Sequence, residues 1–381
     1  MYDAMVVGAG PAGASAAYEL AWSGARILLL ERQTLPRYKA CGGAIPFNFF
    51  QTLPLRVQKT LETILNNGVY LASPHKNFRP QITAKVAGVM RDRFDYEFAQ
   101  AAVEEGAELI DGLPVRRVEE KERSVSVKTD KGSFEARYLI GADGATGGVK
   151  RFLGLGRQEP AAPALEVEIS PRGEATRGDL TLVHFTLIRD GYAWVFPKGG
   201  VDSVGIASFG RDRKKVKTKL AEWAALCGYR LEGKIVHGHP IPVWRGRSTL
   251  ASRRSLLVGD AAATVDPLGG EGIRHGILSG RIAARHVCQA LAHDAFLPSA
   301  YTEEIYQSIQ ADFLYAARLA AFFYRFPGFC FDLWVRTHAA TDLVGKVLYG
   351  ELRYQDLFRL AVRSLLRLKN YKCLFSSSGA G

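Results

Sequence analysis

The sequence predicts an α/β fold in which a parallel sheet is interrupted by an antiparallel sheet and followed by a helical region. Three observations predict it. The first thirty residues read strand, glycine turn, helix, strand. From Glu108 onward, short alternating runs are divided by charged turns such as Asp130-Lys131-Gly132. From about Ser299 to Lys372 the composition becomes helical and rich in Phe, Leu, Tyr and Arg. Strands alternating with helices build parallel sheets with crossover helices, whereas successive short alternating strands build antiparallel meanders.

In order, Ala4–Val7 reads as a strand, Gly8–Gly13 as a turn, Ala14–Trp22 as a helix and Arg26–Glu31 as a second apolar strand. Arg91–Glu105 reads as a helix ending at Gly106. The stretch from Glu108 to Asp143 is expected to be an antiparallel meander. Glu166–Ile169, Leu180–Leu187, Tyr192–Phe196 and Val204–Phe209 continue as strands, and Arg213–Cys227 as a helix. Ser255–Val258 returns to an apolar strand, and a long helix follows over Ile273–Ala292. The expected division is a discontinuous cofactor domain (1–75, 91–155 and 245–295), a sheet domain (76–90 and 156–244) and a C-terminal helical region (296–381). Ser376–Gly381 is expected to be a flexible end.

The 381 residues are ample for a large core, and 47% hydrophobic with 10% aromatic residues is a globular composition. The formal charge of +12 favours anionic partners without choosing among them. The five cysteines, Cys41, Cys227, Cys288, Cys330 and Cys373, are odd in number and contain no C-x-x-C pair. A disulfide framework is therefore not expected, and a reducing compartment is. Strand-like sequence begins at Met1, with no leader-like segment, and arginines break the longest apolar runs. The chain is expected to be cytoplasmic or bound to a membrane surface. No His/Cys/Asp/Glu spacing predicts a metal site.

The strongest local signal is Gly8-Ala9-Gly10-Pro11-Ala12-Gly13. In such a turn one glycine permits the tight bend. Another lets backbone approach a pyrophosphate, and the third lets helix pack on strand. The helix start offers free N–H groups to phosphates. Glu31 stands at the end of the second strand, before Arg32, where an acid accepts hydrogen bonds from ribose hydroxyls. Strand, turn, helix, strand and acid together predict a Rossmann-type dinucleotide site.

Two further motifs choose the dinucleotide. Tyr138-Leu-Ile-Gly-Ala-Asp143-Gly144-Ala145 is an apolar strand ending in an acid and a glycine turn. Ser255-Leu-Leu-Val-Gly259-Asp260-Ala-Ala262 is a second such strand. It leads into the glycine-rich turn Pro267-Leu-Gly-Gly270-Glu-Gly272-Ile273. Asp260 is placed for a ribityl or pyrophosphate group, and the N–H groups of Gly272 and Ile273 for an electron-rich flavin edge. Together the three motifs point to FAD held non-covalently.

In this order they resemble the flavoprotein superfamily that includes p-hydroxybenzoate hydroxylase and the flavin-dependent halogenases. Four details are similar to the geranylgeranyl reductase family within it: Tyr38-Lys-Ala-Cys41-Gly42-Gly43, Arg91-x-x-Phe94-Asp95, Tyr192-Ala-Trp194-Val-Phe196-Pro197, and Gly270-Glu-Gly272-Ile273-Arg274-His275-Gly276-Ile277-Leu278-Ser279-Gly280. The likeness covers roughly residues 1–290. Arg189 departs from it, since archaeal members often carry proline there. The resemblance implies that Gly8, Gly10, Gly13, Glu31, Arg91, Asp143, Asp260, Gly272 and Ile273 hold FAD, and that Cys41, Gly42 and Gly43 lie beside the isoalloxazine. It implies that Tyr192, Trp194 and Phe196 line a substrate cavity. It further implies saturation of carbon–carbon double bonds in prenyl chains of membrane lipids or chlorophyll precursors, with NADPH or ferredoxin as electron donor.

Read from the residues alone, alternation puts Tyr192, Trp194 and Phe196 on one strand face, either as a cavity wall or as sheet core. Cys41 is either a proton donor or a small packing residue. His275 is expected to be packed or solvated. No second G-x-G-x-x-G exists, so a nicotinamide donor would bind transiently.

Arg211, Arg213, Lys214, Lys215, Lys217 and Lys219 form a cationic run, either a solvated helix start or a dock for an acidic electron carrier such as ferredoxin. Arg359, Arg363, Arg367, Lys369 and Lys372 follow Asp356 with no acid among them. With Leu357, Leu360, Leu365 and Leu368 they predict a basic amphipathic helix suited to a membrane interface. Phe322, Phe323, Phe326, Phe329, Phe331 and Trp334 either extend that apolar surface or pack the substrate cavity. No nucleic-acid recognition motif is present. Two other functions fit less of the pattern. One is a flavin monooxygenase acting on an aromatic or quinone; the halogenase form lacks its W-x-W-x-I-P element. The other is a flavin-bearing partner protein without catalysis.

Overall fold

A computed structural model of the chain describes residues 1–65, 67–73, 76–78, 85–158, 161–171, 180–210, 212–336, 343, 345–347, 350–360 and 363. The chain opens with β1 (Tyr2–Val7), α1 (Pro11–Trp22), β2 (Ile27–Leu30), β3 (Ala44–Pro46), α2 (Phe47–Phe50), α3 (Leu55–Gln58) and β4 (Leu61–Leu65). It continues through β5 (Asn67–Ser73), β6 (Lys76–Phe78), β7 (Val86–Val89), α4 (Arg91–Glu104), β8 (Glu108–Ile110), β9 (Val115–Glu120), β10 (Val125–Thr129), β11 (Gly132–Gly141) and α5 (Val149–Phe152). Next come β12 (Ala162–Ile169), β13 (Leu180–His184), β14 (Gly191–Lys198), β15 (Val201–Ser208), α6 (Val216–Leu226), β16 (His237–Ile241) and β17 (Ser255–Leu257). Then come α7 (Ile273–His293), α8 (Pro298–Ile305), α9 (Ala311–Arg325) and α10 (Pro327–Arg336), and residues 354–360 are helical as well.

The first sheet has the order β8-β2-β1-β11-β10-β9, with β17 also on β11. Its centre is parallel: β1 pairs with β2 and with β11, and β11 with β17. These strands are continuous apolar runs, and Ile27, Leu28, Leu29 and Leu30 are all buried. Burial on both faces is what a parallel sheet covered by helices requires.

The Glu108–Asp143 meander is corrected in part. β9, β10 and the first half of β11 are antiparallel as expected. β8 instead pairs parallel with β2, and the second half of β11 lies parallel to β1 and β17. The reason is compositional. Tyr138–Gly141 is uniformly buried rather than alternating, so it suits a two-sided parallel core.

The second sheet runs β16-β12-β15-β14-β13-β5-β6, and a small third one β3-β7-β4. β5 and β6, on either side of residue 75, both belong to the second sheet, and β7 joins β3 and β4. The strand pairing thus changes sheets before residue 75, at a place with no shift in composition. On β14, Ala193 and Val195 face the core under α6, where Trp223 is buried. Tyr192, Trp194 and Phe196 take the opposite face.

Candidate FAD and substrate cavity

One cavity of ≈ 540 Å³ lies where the first and second sheets meet. Every expected site residue except Gly13 lines it. Gly13 serves packing instead: a Cβ there would stand 1.9 Å from the Gly8 carbonyl oxygen. Gly8 itself sits at φ +107 with the Ala142 carbonyl 2.4 Å from its Cβ position, so α1 and β1 close on β11 only through glycine.

The cradle fits a dinucleotide. α1 begins at Gly10 with no side-chain cap, leaving its first N–H groups open to the cavity. A Cβ on Gly10 would enter open space, with only Arg37 Nη2 near, at 3.9 Å. Glu31 is buried at the far wall, accepting hydrogen bonds from Ala9 N (2.9 Å) and Gln33 N (3.1 Å). Arg37 Nε approaches Glu31 Oε1 (3.4 Å) and its Nη1 pairs with Asp95 Oδ2 (3.1 Å), while Nη2 is the nitrogen that faces the Gly10 turn. The guanidinium thus brings a buried positive charge beside the helix start, where a pyrophosphate would need one.

A second charged group lines the same cavity. Arg91 is buried and pairs with Asp95 through two hydrogen bonds of 2.8 and 2.9 Å. Burial opposes its charge, but the Asp95 carboxylate and the neighbouring Cys41 thiol more than compensate and raise its pKa. Lys39 Nζ lies within hydrogen-bond distance of His239 Nε2, at 2.7 Å. Burial lowers the pKa of both Lys39 and His239. Asp260 Oδ2 lies 3.7 Å from His239 Nε2. Burial raises its pKa, but His239, Lys39 and Arg91 outweigh that and hold it below the ordinary value.

Cys41 is clamped on both sides of its peptide. Its N–H donates to Glu166 Oε1 (2.5 Å), and its carbonyl accepts from Lys198 Nζ (2.6 Å). Tyr38 Oη also donates to Glu166 Oε1 (3.1 Å), and Ser203 Oγ to Glu166 Oε2 (2.8 Å). Trp194 Nε1–H donates to Ser203 Oγ (3.1 Å). One buried carboxylate thus aligns the cysteine loop and, through Ser203, the indole of the aromatic wall. Gly205 makes room for that indole, since a Cβ would lie 2.1 Å from it. Trp194 stacks on Phe196 at 6.2 Å, Tyr192 tilts against Trp194 at 5.8 Å, and Tyr192 Oη donates to Gly269 O at 2.6 Å.

The glycine turn before α7 is organised by Asp266. Its Oδ1 accepts from Leu268 N (2.6 Å) and Gly269 N (3.2 Å), and its Oδ2 from Tyr354 Oη (2.5 Å). His275 packs edge-on against Phe313 at 4.8 Å and is buried. Burial raises Asp266's pKa against those hydrogen bonds. A raised folded value adds stability fully below the unfolded pKa and loses it as pH rises through the folded one. Asp266→Asn keeps the Oδ1 acceptor and removes the buried charge. The melting temperature is therefore expected to rise above wild type near about pH 8, with the difference shrinking toward about pH 4. A variant that melts lower than wild type at pH 8 contradicts this.

Sequence reasoning missed Arg37, Glu166, Lys198, Ser203, His239, Asp266 and Tyr354. The alternation of Glu166 with Glu168 on β12 was a usable signal, because it put two acids on the face opposite Val167. His239 and Tyr354 carried none. Among the described residues, no His/Cys/Asp/Glu group is arranged to hold a metal, and no helix is long and apolar enough to cross a membrane. Cys41, Cys227, Cys288 and Cys330 are free thiols. In the cationic run, Lys215 pairs with Asp212 and Lys219 with Glu222. Arg211, Arg367, Lys369, Lys372, Leu365, Leu368, Cys373 and Ser376–Gly381 lie outside the described residues, as do the side chains of Arg213 and Trp334.

The sheets and cradle define an FAD-binding flavoprotein, and residues 1–295 match the family model described as FAD binding domain. Geranylgeranyl diphosphate reductase of Rhodobacter capsulatus is 30% identical, over 74% of this chain and 74% of its own. Digeranylgeranylglycerophospholipid reductase 3 of Methanosphaera stadtmanae is 28% identical, over 76% of this chain and 78% of its own. The chain belongs to the geranylgeranyl reductase family of FAD-dependent oxidoreductases. The fold is shared with a geranylgeranyl bacteriochlorophyll reductase-like protein from Thermoplasma acidophilum. The TM-score is 0.78 at 21% identity, covering 94% of this chain and 99% of that one.

Proposed function

We propose that this protein reduces carbon–carbon double bonds of a prenyl chain carried on a lipid or a chlorophyll-type precursor. The observation that carries the reading is the position of Tyr192, Trp194 and Phe196. They line the same cavity as Cys41-Gly42-Gly43 and the turn at Gly270–Ile273, while the alternate residues of β14 form the sheet core. An aromatic slot beside a flavin cradle holds an extended apolar chain and excludes water.

Bound FAD supplies the electron pair for saturation of the alkene. Gly8, Gly10, Pro11, Ala12, Glu31 and Arg32 hold its adenosine and pyrophosphate, with Arg37 as added cation. Arg91, Asp143, Gly144, Gly259 and Asp260 hold the ribityl region, and Gly270, Gly272 and Ile273 with Cys41, Gly42 and Gly43 the ring. Cys41 Sγ is the proton-holding group in this reading, and Glu166 and Lys198 fix its loop. Lys214, Lys215, Lys217 and Lys219 offer a face to an acidic carrier such as ferredoxin, the alternative donor being NADPH.

The test is anaerobic. The flavin of the purified protein is reduced chemically, geranylgeranyl lipids are added, and product masses are read. Stepwise gain of hydrogen pairs is the expected result. A flavin that reduces and reoxidises with no change in any lipid rejects the proposal.

A further inference from the structure

The corner between α9 and α10 leaves three phenylalanines in solvent. Phe322, Phe326 and Phe329 are 50%, 48% and 60% exposed. They are not scattered: Phe322 lies 5.5 Å from Phe326 and 6.3 Å edge-on from Phe329. A cluster of exposed aromatic rings marks a surface meant to be covered, whereas single exposed apolar residues need no explanation. The next residue in the helix points the other way. Phe323 is buried against Phe331 (6.3 Å) and Phe185 (5.0 Å), and Phe185 reaches Tyr192 at 6.0 Å. The exposed corner is thus the outer end of a run of rings whose inner end is the cavity wall.

Charge selects the occupant. Arg318 and Arg325 are exposed on the same helix, and neither meets a carboxylate among the described residues. The Arg325 guanidinium lies 5.4 Å from the centre of the Phe326 ring. Rings that enter the acyl boundary beside arginines that reach lipid phosphates are the anatomy of an interfacial anchor. We propose that the α9–α10 corner docks this protein on an anionic phospholipid bilayer, with Phe322, Phe326 and Phe329 inserted. The docking stands on the surface alone. That it feeds the substrate cavity rests on the prenyl-chain reading above.

The full-length flavin-loaded protein is sedimented with vesicles of phosphatidylcholine, or of phosphatidylcholine and phosphatidylglycerol in equal parts. Wild type is expected to bind the mixed vesicles more tightly. The triple variant Phe322→Ser/Phe326→Ser/Phe329→Ser is expected to lose about tenfold or more in affinity for both compositions. Arg318→Gln/Arg325→Gln is expected to lose mainly the preference for phosphatidylglycerol. Flavin content and melting temperature of both variants should match wild type, because the altered side chains are exposed. Turnover of detergent-dispersed substrate should also be unchanged, with turnover of vesicle-embedded substrate reduced. Wild type that binds neither vesicle overturns the proposal, and leaves the corner to a protein partner. A triple variant that binds as wild type but melts differently also overturns it, and assigns the cover to the chain's own C-terminal residues. Vesicle binding that holds while no lipid is reduced leaves the docking intact and rejects the prenyl reading alone.

Discussion

Gly13→Val should yield a protein that retains no FAD and melts well below wild type. The third glycine of the turn is not in the cavity, so the effect is mechanical. A Cβ at Gly13 would stand 1.9 Å from the Gly8 carbonyl and 2.9 Å from Ala142 Cβ. Neither can retreat, because β1 and β11 are paired from Tyr2↔Ala136 to Val7↔Gly141 in the buried centre of the first sheet. α1 must therefore lift from the sheet, which costs on the order of 3 kcal/mol or more for a branched side chain in a packed site. Lifting α1 also moves its open N–H groups away from the cradle. Gly10→Ala provides the contrast. Its Cβ meets only open cavity beside Arg37, so the melting temperature without flavin should stay near wild type while FAD affinity falls. Flavin absorbance after gel filtration and thermal melts of the flavin-free protein separate the two. A flavin-loaded Gly13→Val protein would sink the packing role. A Gly10→Ala protein that binds FAD as wild type would sink the pyrophosphate role.

The second large effect belongs to Glu166→Leu. The substitution leaves Cys41 N–H, Tyr38 Oη and Ser203 Oγ without their acceptor in a site where Glu166 is 2% exposed. Each orphaned donor costs about 1–3 kcal/mol, offset in part by removing the desolvated carboxylate, so a net loss of about 2–4 kcal/mol is expected. The functional consequence is more specific. With Lys198 alone holding the Cys41 carbonyl, the cysteine loop loses one of its two clamps, and Trp194 loses the support of Ser203. Alkylation of Cys41 should quicken, and catalytic turnover should fall by more than stability explains. Glu166→Gln should restore most of both. Its Oε1 still accepts from Cys41 N and Tyr38 Oη, and Ser203 Oγ can turn to accept from the new amide. Mass-spectrometric labelling of Cys41, read beside turnover, decides the matter. Equal labelling of wild type and the Leu variant would remove Glu166 from any positioning role.

The two substitutions divide the site along the line between what was readable in the chain and what was not. Gly8, Gly10 and Gly13 were legible because their demand is local: a bend, an open backbone and a close approach within one strand–turn–helix unit. The aromatic face of β14 was legible as a face, since the period of a strand fixes which residues share a side. Whether that face was wall or core was not legible. It depends on α6 covering Ala193 and Val195 and on the glycine loop before α7 reaching the other side. The meander failed for a related reason. β11 changes partners along its length, antiparallel to β10 and then parallel to β17, and only its uniform burial in the second half hinted at this.

By itself the sequence determined the parallel Rossmann opening, the FAD motifs, the family and a set of site residues of which all but Gly13 line the cavity. These follow from residue geometry repeated at short range: glycine where backbone must bend or touch, apolar runs where both faces are covered, an acid at a strand end. The tertiary structure alone decided the charged scaffold around them. Glu166 and Lys198 clamp Cys41 across separations of 125 and 157 residues, Lys39 meets His239 across 200, and Tyr354 closes on Asp266 across 88. No periodicity links such pairs. They meet because two sheets and a returning helix pack their edges together, and a buried polar group holds its place only where a partner from elsewhere in the chain arrives to satisfy it.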